Sequence, residues 1–416
     1  MTQPTKLTSA FWLLISGNAI YTAAQVLYSI IISYVLVIQY HADAKILSLY
    51  GAIILLPQIL GFLASPWIIK IKKYTQALLI VMVLTTIGLL LQITVIVVNL
   101  SLVYVLTIAL FDGIVSVFNR SINFTLMPKT LHDNEKLVTK GVDLSYWSGT
   151  VFSILTSLII AFILNKNTYR WVLILIVLLV IIATALYVFI KVEDVNQTHI
   201  NGEQRINVKN YIDKLFAELL VFLSPKKVVV IIFMEGFLGG LTGLLLTLLP
   251  LSMKAIGIPI AMFTVVKAMQ EGGDLIGSSI APLFKIKTSK FFIFDYILTG
   301  AIFAVLPFLK NIFLQAMLFL IAFIVIGISG NIFNKLIYEG YSYDQVGAVN
   351  TWSTAVFSIF GLLAMTIPLF TSNVKEIWTI IGIITFIFGV LLCIMNLKKP
   401  NTAISKKQTN ITDNVA

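Results

Sequence analysis

The chain has 416 residues, of which 59% are hydrophobic and 11% charged, and it carries a formal net charge of +11. This composition lies outside the range of soluble domains, so the positive charge is not read as a nucleic-acid-binding surface. A single cysteine, Cys393, excludes a disulfide framework and a thiolate metal cluster, and no Walker A sequence occurs.

Apolar runs of about 20 residues or more are long enough to cross a bilayer. In chain order they fall at 10–38, 46–69, 76–98, 101–127, 142–164 and 170–190, then at 227–253, 259–284, 290–309, 311–334, 343–371 and 375–397. All are expected to be helices, because a span in hydrocarbon must satisfy its backbone within itself and the alternating pattern of barrel strands is absent. The predicted fold class is therefore an all-α polytopic membrane protein of twelve transmembrane helices. The first run is too long for a signal-peptide core and is read as a retained helix.

Sequence echoes divide these spans into two homologous halves. Trp147-Ser-Gly-Thr-Val-Phe-Ser-Ile154 returns as Trp352-Ser-Thr-Ala-Val-Phe-Ser-Ile359, an offset of 205 positions. Asn18 and Glu235 are offset by 217, Gly61-x4-Pro66 and Gly277-x4-Pro282 by 216, and Phe118-Asn-Arg120 and Phe333-Asn-Lys335 by 215. The organisation read from this is a six-helix half over 1–190, a charged central loop over 191–226, a second six-helix half over 227–397 and a polar, disordered tail over 398–416. Within the loop, Val208 to Leu223 sets Tyr211, Leu215, Leu219 and Phe222 against Lys209, Asp213, Lys214 and Glu218 at helical spacing. That pattern predicts an amphipathic surface helix.

Basic residues sort by side. Lys70, Lys72, Lys73, Arg120, Lys129, Lys136, Lys140, Lys285, Lys287, Lys290 and Lys335 are assigned to loops on the side of the termini, with few on the other. The positive-inside rule then makes both termini cytoplasmic, in a multi-pass protein of the cell membrane.

An ionisable group at membrane depth is costly unless paired or hydrated, so the few present are the candidate machinery. They are Asp112 in the fourth span, Glu235 in the seventh, and Lys267, Glu271 and Asp274 in the eighth. The last three lie within roughly 60° of one another on one helix face. Lys267 and Glu271 form either a locking ion pair or part of a relay; one lysine does not neutralise two acids, so Asp274 and Glu235 need other partners, water or a proton. Two polar stripes complete the set: Asn18, Tyr21, Gln25 and Tyr28 on the first span, and Asp112, Ser116, Asn119 and Asn123 on the fourth. The matching seventh and tenth spans bring Glu235, Thr242, Asn331 and Asn334. Such faces either hydrogen-bond between helices or line a cavity; amides and phenols around a few acids suit a bulky amphipathic or cationic ligand. The glycines at 236, 239, 240 and 243 allow close packing or a hinge beside Glu235.

Two six-helix halves, a charged central loop and a basic turn after the second and eighth spans resemble the major facilitator superfamily over nearly the whole length. Phe11 to Leu36, Leu47 to Lys73 and Phe118 to Leu164 look most like its macrolide-efflux branch of drug exporters. The loop after the second span departs from the family pattern: Gly61 is followed by Ser65-Pro66, with Ile68 where a second glycine belongs, so the acid that latches the cytoplasmic gate in relatives is missing. The helix-five motif of many drug/proton antiporters is absent too. The resemblance implies a monomeric secondary transporter in which the first, fourth, seventh and tenth helices line a central cavity.

The expectation is proton-coupled export of an amphipathic small molecule, in an antibiotic or metabolite efflux role, with no enzymatic activity and no cofactor or metal. Glu235, Asp112, Asp274, Glu271 and Lys267 are the candidate coupling or gate residues. Asn18, Tyr21, Gln25, Tyr28, Asn119 and Asn334 are the candidate substrate contacts. Siderophore or peptide-like metabolite export, nutrient import, and a non-transporting sensor or immunity role are the alternatives.

Overall fold

The computed structural model describes residues 7–64, 71, 73–132, 134–165, 167–191, 208–283, 288–341 and 346–397. The loop motif at Ser65, Pro66 and Ile68, residues 192–207 of the predicted central loop and the predicted tail lie outside the described residues.

Twelve long helices follow one another: α1 Ser9–Ile38, α2 Ala44–Ile59, α3 Tyr74–Val98, α4 Leu102–Thr130, α5 Glu135–Ile163 and α6 Tyr169–Val188, then α7 Lys226–Thr247, α8 Phe263–Ile280, α9 Thr288–Val305, α10 Ile312–Gly340, α11 Val346–Ala364 and α12 Val374–Leu397. A linker helix, Val208–Leu223, precedes α7, and a short helix, Leu249–Ala255, continues it. Local chemistry marks the starts and stops. Thr8, Asp43, Asn134 and Asn311 each accept a hydrogen bond from the first turn of the helix they precede, which satisfies amides that have no partner inside the helix. Asn99 ends α3 in the left-handed conformation, with φ 58°, a role asparagine fills more readily than most residues.

Eleven of the described helices are long and apolar enough to cross a membrane. The eighth in order, α8, falls short of that apolar character because Lys267, Glu271 and Asp274 interrupt it, and it is held by protein on two sides, α10 and α5.

The same packing plan occurs twice. In the first half α1 packs on α5, α2 on α4, and α3 on both α4 and α6; in the second, α7 packs on α11, α8 on α10, and α9 on both α10 and α12. Each pair is carried to its counterpart by a shift of six helices. The halves meet through α2 against α11 and α5 against α8, which the same shift interchanges. A cavity lies between these two contacts.

One sequence assignment needs correction here. Sorting basic residues by side puts Arg120 in a loop, but α4 runs ten residues beyond it to Thr130, so its guanidinium belongs to the helical bundle. Lys129, Lys136, Lys140, Lys290 and Lys335 likewise lie within helices.

Candidate functional site

A cavity of about 620 Å³ takes walls from both halves: α1, α2 and α4 on one side, α7, α8, α10 and α11 on the other. Its polar lining is mostly neutral. Gln58, Asn350, Ser353, Thr354 and Ser358 come from α2 and α11, and Ser29 and Ser33 from α1. Tyr50, Phe263, Phe333 and Phe357 add aromatic surface. The charged residues among its lining are Lys267 and Arg120, both cationic. A neighbouring cavity of about 30 Å³ shares Gln58, Arg120, Asn350 and Thr354 with it.

The polar stripe of α1 does not form this wall. Tyr187 on α6 donates to Asn18 at 2.5 Å, Gln25 donates to Tyr21 at 2.9 Å, and Tyr28 donates to the Asp112 carboxylate at 2.6 Å. These bonds knit the interior of the first half. The face that does reach the cavity, through Ser29 and Ser33, is turned by about 80° from the stripe at 100° per residue. On α4, Asn119 contacts Met82 of α3 at 3.3 Å and accepts from Asn123 at 2.8 Å, so it too serves the packing of its own half. In the second half, the side chain of Asn334 lies outside the described part, while Thr242 Oγ1 and Asn331 Oδ1 are buried without a partner.

Residues of α8 bridge the halves instead. Lys267 donates to Ser29 of α1 at 3.0 Å and interacts electrostatically with Glu271 one turn away. Glu271 faces Ser153 of α5, and its Oε2 is buried without a partner. Asp274 accepts from Gln270 at 2.8 Å within α8, and Tyr146 of α5 faces Ser278 and Asp274. The predicted charged stripe is thus a single face on the α5–α8 contact, with only Lys267 reaching the cavity wall.

Glu235 is buried in α7 and accepts from Tyr296 of α9 at 2.9 Å. The next residue back, Asp295, is fully buried and accepts from Ser329 of α10, while its Oδ1 has no partner. The two carboxyl groups interact electrostatically. Sequence reasoning missed Asp295. The available signal was its position as an acid inside the ninth span, masked there by the run of aromatics Phe291, Phe292, Phe294 and Tyr296.

Beside Glu235, three of the four α7 glycines are packing positions. A Cβ on Gly240 would stand 2.6 Å from the Phe360 backbone of α11, and one on Gly236 or Gly239 would press on Phe360, Val356 or Phe357 side chains. Only Gly243 has open space. This favours close approach over a hinge at these positions.

Aromatic contacts join the halves on the side of the termini. Phe62, just past α2, stacks on Trp352 of α11 with centroids 4.4 Å apart and planes at 22°. Trp352 also stacks with Phe222 of the linker helix at 6.2 Å. Tyr211 of that helix donates to the Leu63 carbonyl, and Tyr341 donates to the Phe222 carbonyl at 2.6 Å. The linker helix turns Tyr211, Leu215, Leu219 and Phe222 away from solvent. At the opposite end, Ser48 of α2 contacts Met365 Sδ at 3.8 Å.

No family model matches the chain, and no curated protein matches its sequence. Solved structures do. The nucleoside transporter NupG is similar at 14% identity with a TM-score of 0.69, the match covering 94% of this chain and 98% of that one. A D-xylose-proton symporter is similar at 12% identity and 0.67, covering 91% and 96%. A POT family transporter in complex with a thioalcohol-conjugated peptide is similar at 11% identity and 0.71, covering 93% and 96%. Likeness at this identity establishes architecture rather than substrate: the chain has the all-α, polytopic fold of major-facilitator transporters.

Proposed function

We propose that the protein is a proton-coupled secondary transporter that moves an amphipathic small molecule through the cavity between its halves by alternating access. The observation that carries this reading is the cavity itself. Its volume falls in the range of about 300–1,000 Å³ typical of ligand sites, and both halves wall it, so rocking one half on the other exposes it to alternate sides. Its similarity to transporters of nucleosides, a sugar and peptides supports the same class.

In this reading the coupling groups are acids held apart from the substrate path. Glu235 and Asp295 form a buried carboxyl pair on α7 and α9, and Asp112 is held by Tyr28. A carboxyl inside a bundle with one unfilled hydrogen-bonding position is suited to load and release a proton as the halves move. Export in exchange for protons is the direction implied by the drug-exporter resemblance. Cells lacking their own efflux pumps, expressing the wild type or Glu235→Gln, test it by accumulation of a panel of macrolides and lipophilic dyes with and without a protonophore. Lower accumulation that requires both the proton gradient and Glu235 supports the proposal. Equal accumulation in all strains removes the export assignment, and lowered accumulation that survives Glu235→Gln removes Glu235 from coupling.

A further inference from the structure

A guanidinium remains protonated in any protein environment, so Arg120 places a permanent positive charge on the wall of both described cavities. Its side chain is exposed and opens on those cavities. Such a charge inside a membrane bundle is ordinarily met by an acid. Among the described residues none answers it. Arg120 has no hydrogen bond or ion pair among the described residues.

The acids described elsewhere in the bundle are already engaged. Asp112, eight positions back on α4, receives the Tyr28 hydroxyl. Glu271 is shared between Lys267 and Ser153, Asp274 takes Gln270, and Glu235 and Asp295 take Tyr296 and Ser329. What surrounds Arg120 is a set of neutral donors and acceptors: Gln58 from α2, Ser116 from α4, and Asn350 and Thr354 from α11. A fork of N–H donors flanked by amides and hydroxyls matches the geometry of a carboxylate or a phosphate.

We infer that the substrate bears an anionic group, a carboxylate or phosphate, and that Arg120 anchors it, with Gln58, Asn350 and Thr354 completing its hydrogen bonds. Lys267 adds a second positive pole on the same cavity, already partly answered by Ser29 and Glu271. This adds an anionic group to the ligand, where the sequence pointed to a bulky amphipathic or cationic one. The inference rests on the cavity being the substrate path. It also explains why an arginine stands where both halves meet: Arg120 comes from the first half, while Asn350 and Thr354 come from the second, so bound anion favours their approach.

The test uses full-length purified protein in detergent and probe pairs that differ by one anionic group: uridine and its monophosphate, a hexose and its phosphate ester, acetylalanine amide and acetylalanine. Thermal stabilisation and intrinsic tryptophan fluorescence report binding. At least one anionic member is expected to bind wild type in preference to its neutral partner, with affinity about tenfold or more weaker in Arg120→Gln and partly restored in Arg120→Lys. An unchanged size-exclusion profile guards against misfolding of the variants. Equal response to both members of every pair, no response to any anionic member, or undiminished binding in Arg120→Gln overturns the inference. So does displacement of the probe by phosphatidylglycerol, which assigns Arg120 to a lipid headgroup. Flux of the same probes in proteoliposomes separates the two readings: neutral probes transported without preference leave transport standing and remove the anion site, whereas Arg120-dependent binding without flux does the reverse.

Discussion

Replacing Gly277 by alanine drives a methyl group into the backbone of α10. Its Cβ would lie 2.0 Å from the Ile324 carbonyl oxygen and 2.9 Å from the Ile328 nitrogen. Carbon and carbonyl oxygen otherwise approach to about 3.3 Å, so α8 and α10 must part by roughly 1 Å or more along this line. Overpacking of that kind costs about 1–3 kcal/mol, and the better helix propensity of alanine returns at most about 1 kcal/mol. A methyl group on Gly272, in the same helix, would have nothing within 4 Å, so Gly272→Ala keeps the propensity gain and meets no opposing contact. The two variants are expected to differ by roughly 1–3 kcal/mol, tenfold or more in the folded ratio at the upper end. Melting in detergent, followed by the monodisperse fraction that survives heating, should place Gly277→Ala below wild type and Gly272→Ala at or above it. If Gly277→Ala melts with or above Gly272→Ala, α8 and α10 do not pack backbone against backbone at this position.

Other expectations concern the buried polar groups and the aromatic contacts. Glu235→Gln and Asp295→Asn should each abolish proton-driven transport in proteoliposomes while leaving counterflow exchange of substrate measurable; loss of both activities together would mark these acids as structural. Tyr28→Phe strips the donor from Asp112 and should lower stability by about 1–3 kcal/mol, whereas Asp112→Asn, which still accepts from Tyr28, should cost less; the reverse order in melting experiments contradicts the Tyr28–Asp112 bond. Trp352→Ala removes a stack worth about 1 kcal/mol. Maleimide labelling of Asn350→Cys in a Cys393→Ala background should then quicken about fivefold, and an unchanged rate excludes Trp352 from holding this end together.

Periodicity and length made the helices legible because hydrocarbon imposes both on any span. The site was less so. A polar stripe announces that a helix turns one face inward, but the interior of a six-helix half and the cavity between halves are both inward, and Asn18, Tyr21, Gln25 and Tyr28 belong to the former. Ser29 and Ser33, which reach the cavity, are too small and common to stand out. Arg120 was hidden by bookkeeping of another kind: counting basic residues by side assigned it to a loop although it lies inside the span read at 101–127, as it does in α4. Glu235 was found because it stands in an apolar run; Asp295 was missed because its neighbours are bulky aromatics that dominate the reading of that span.

The stacks of Phe62 and Phe222 on Trp352 join the two halves through neutral rings. Salt does not screen a contact of that kind. The share of the closing energy that these rings carry should follow the hydration of aromatic surface, so that cooling, which weakens such burial, loosens it.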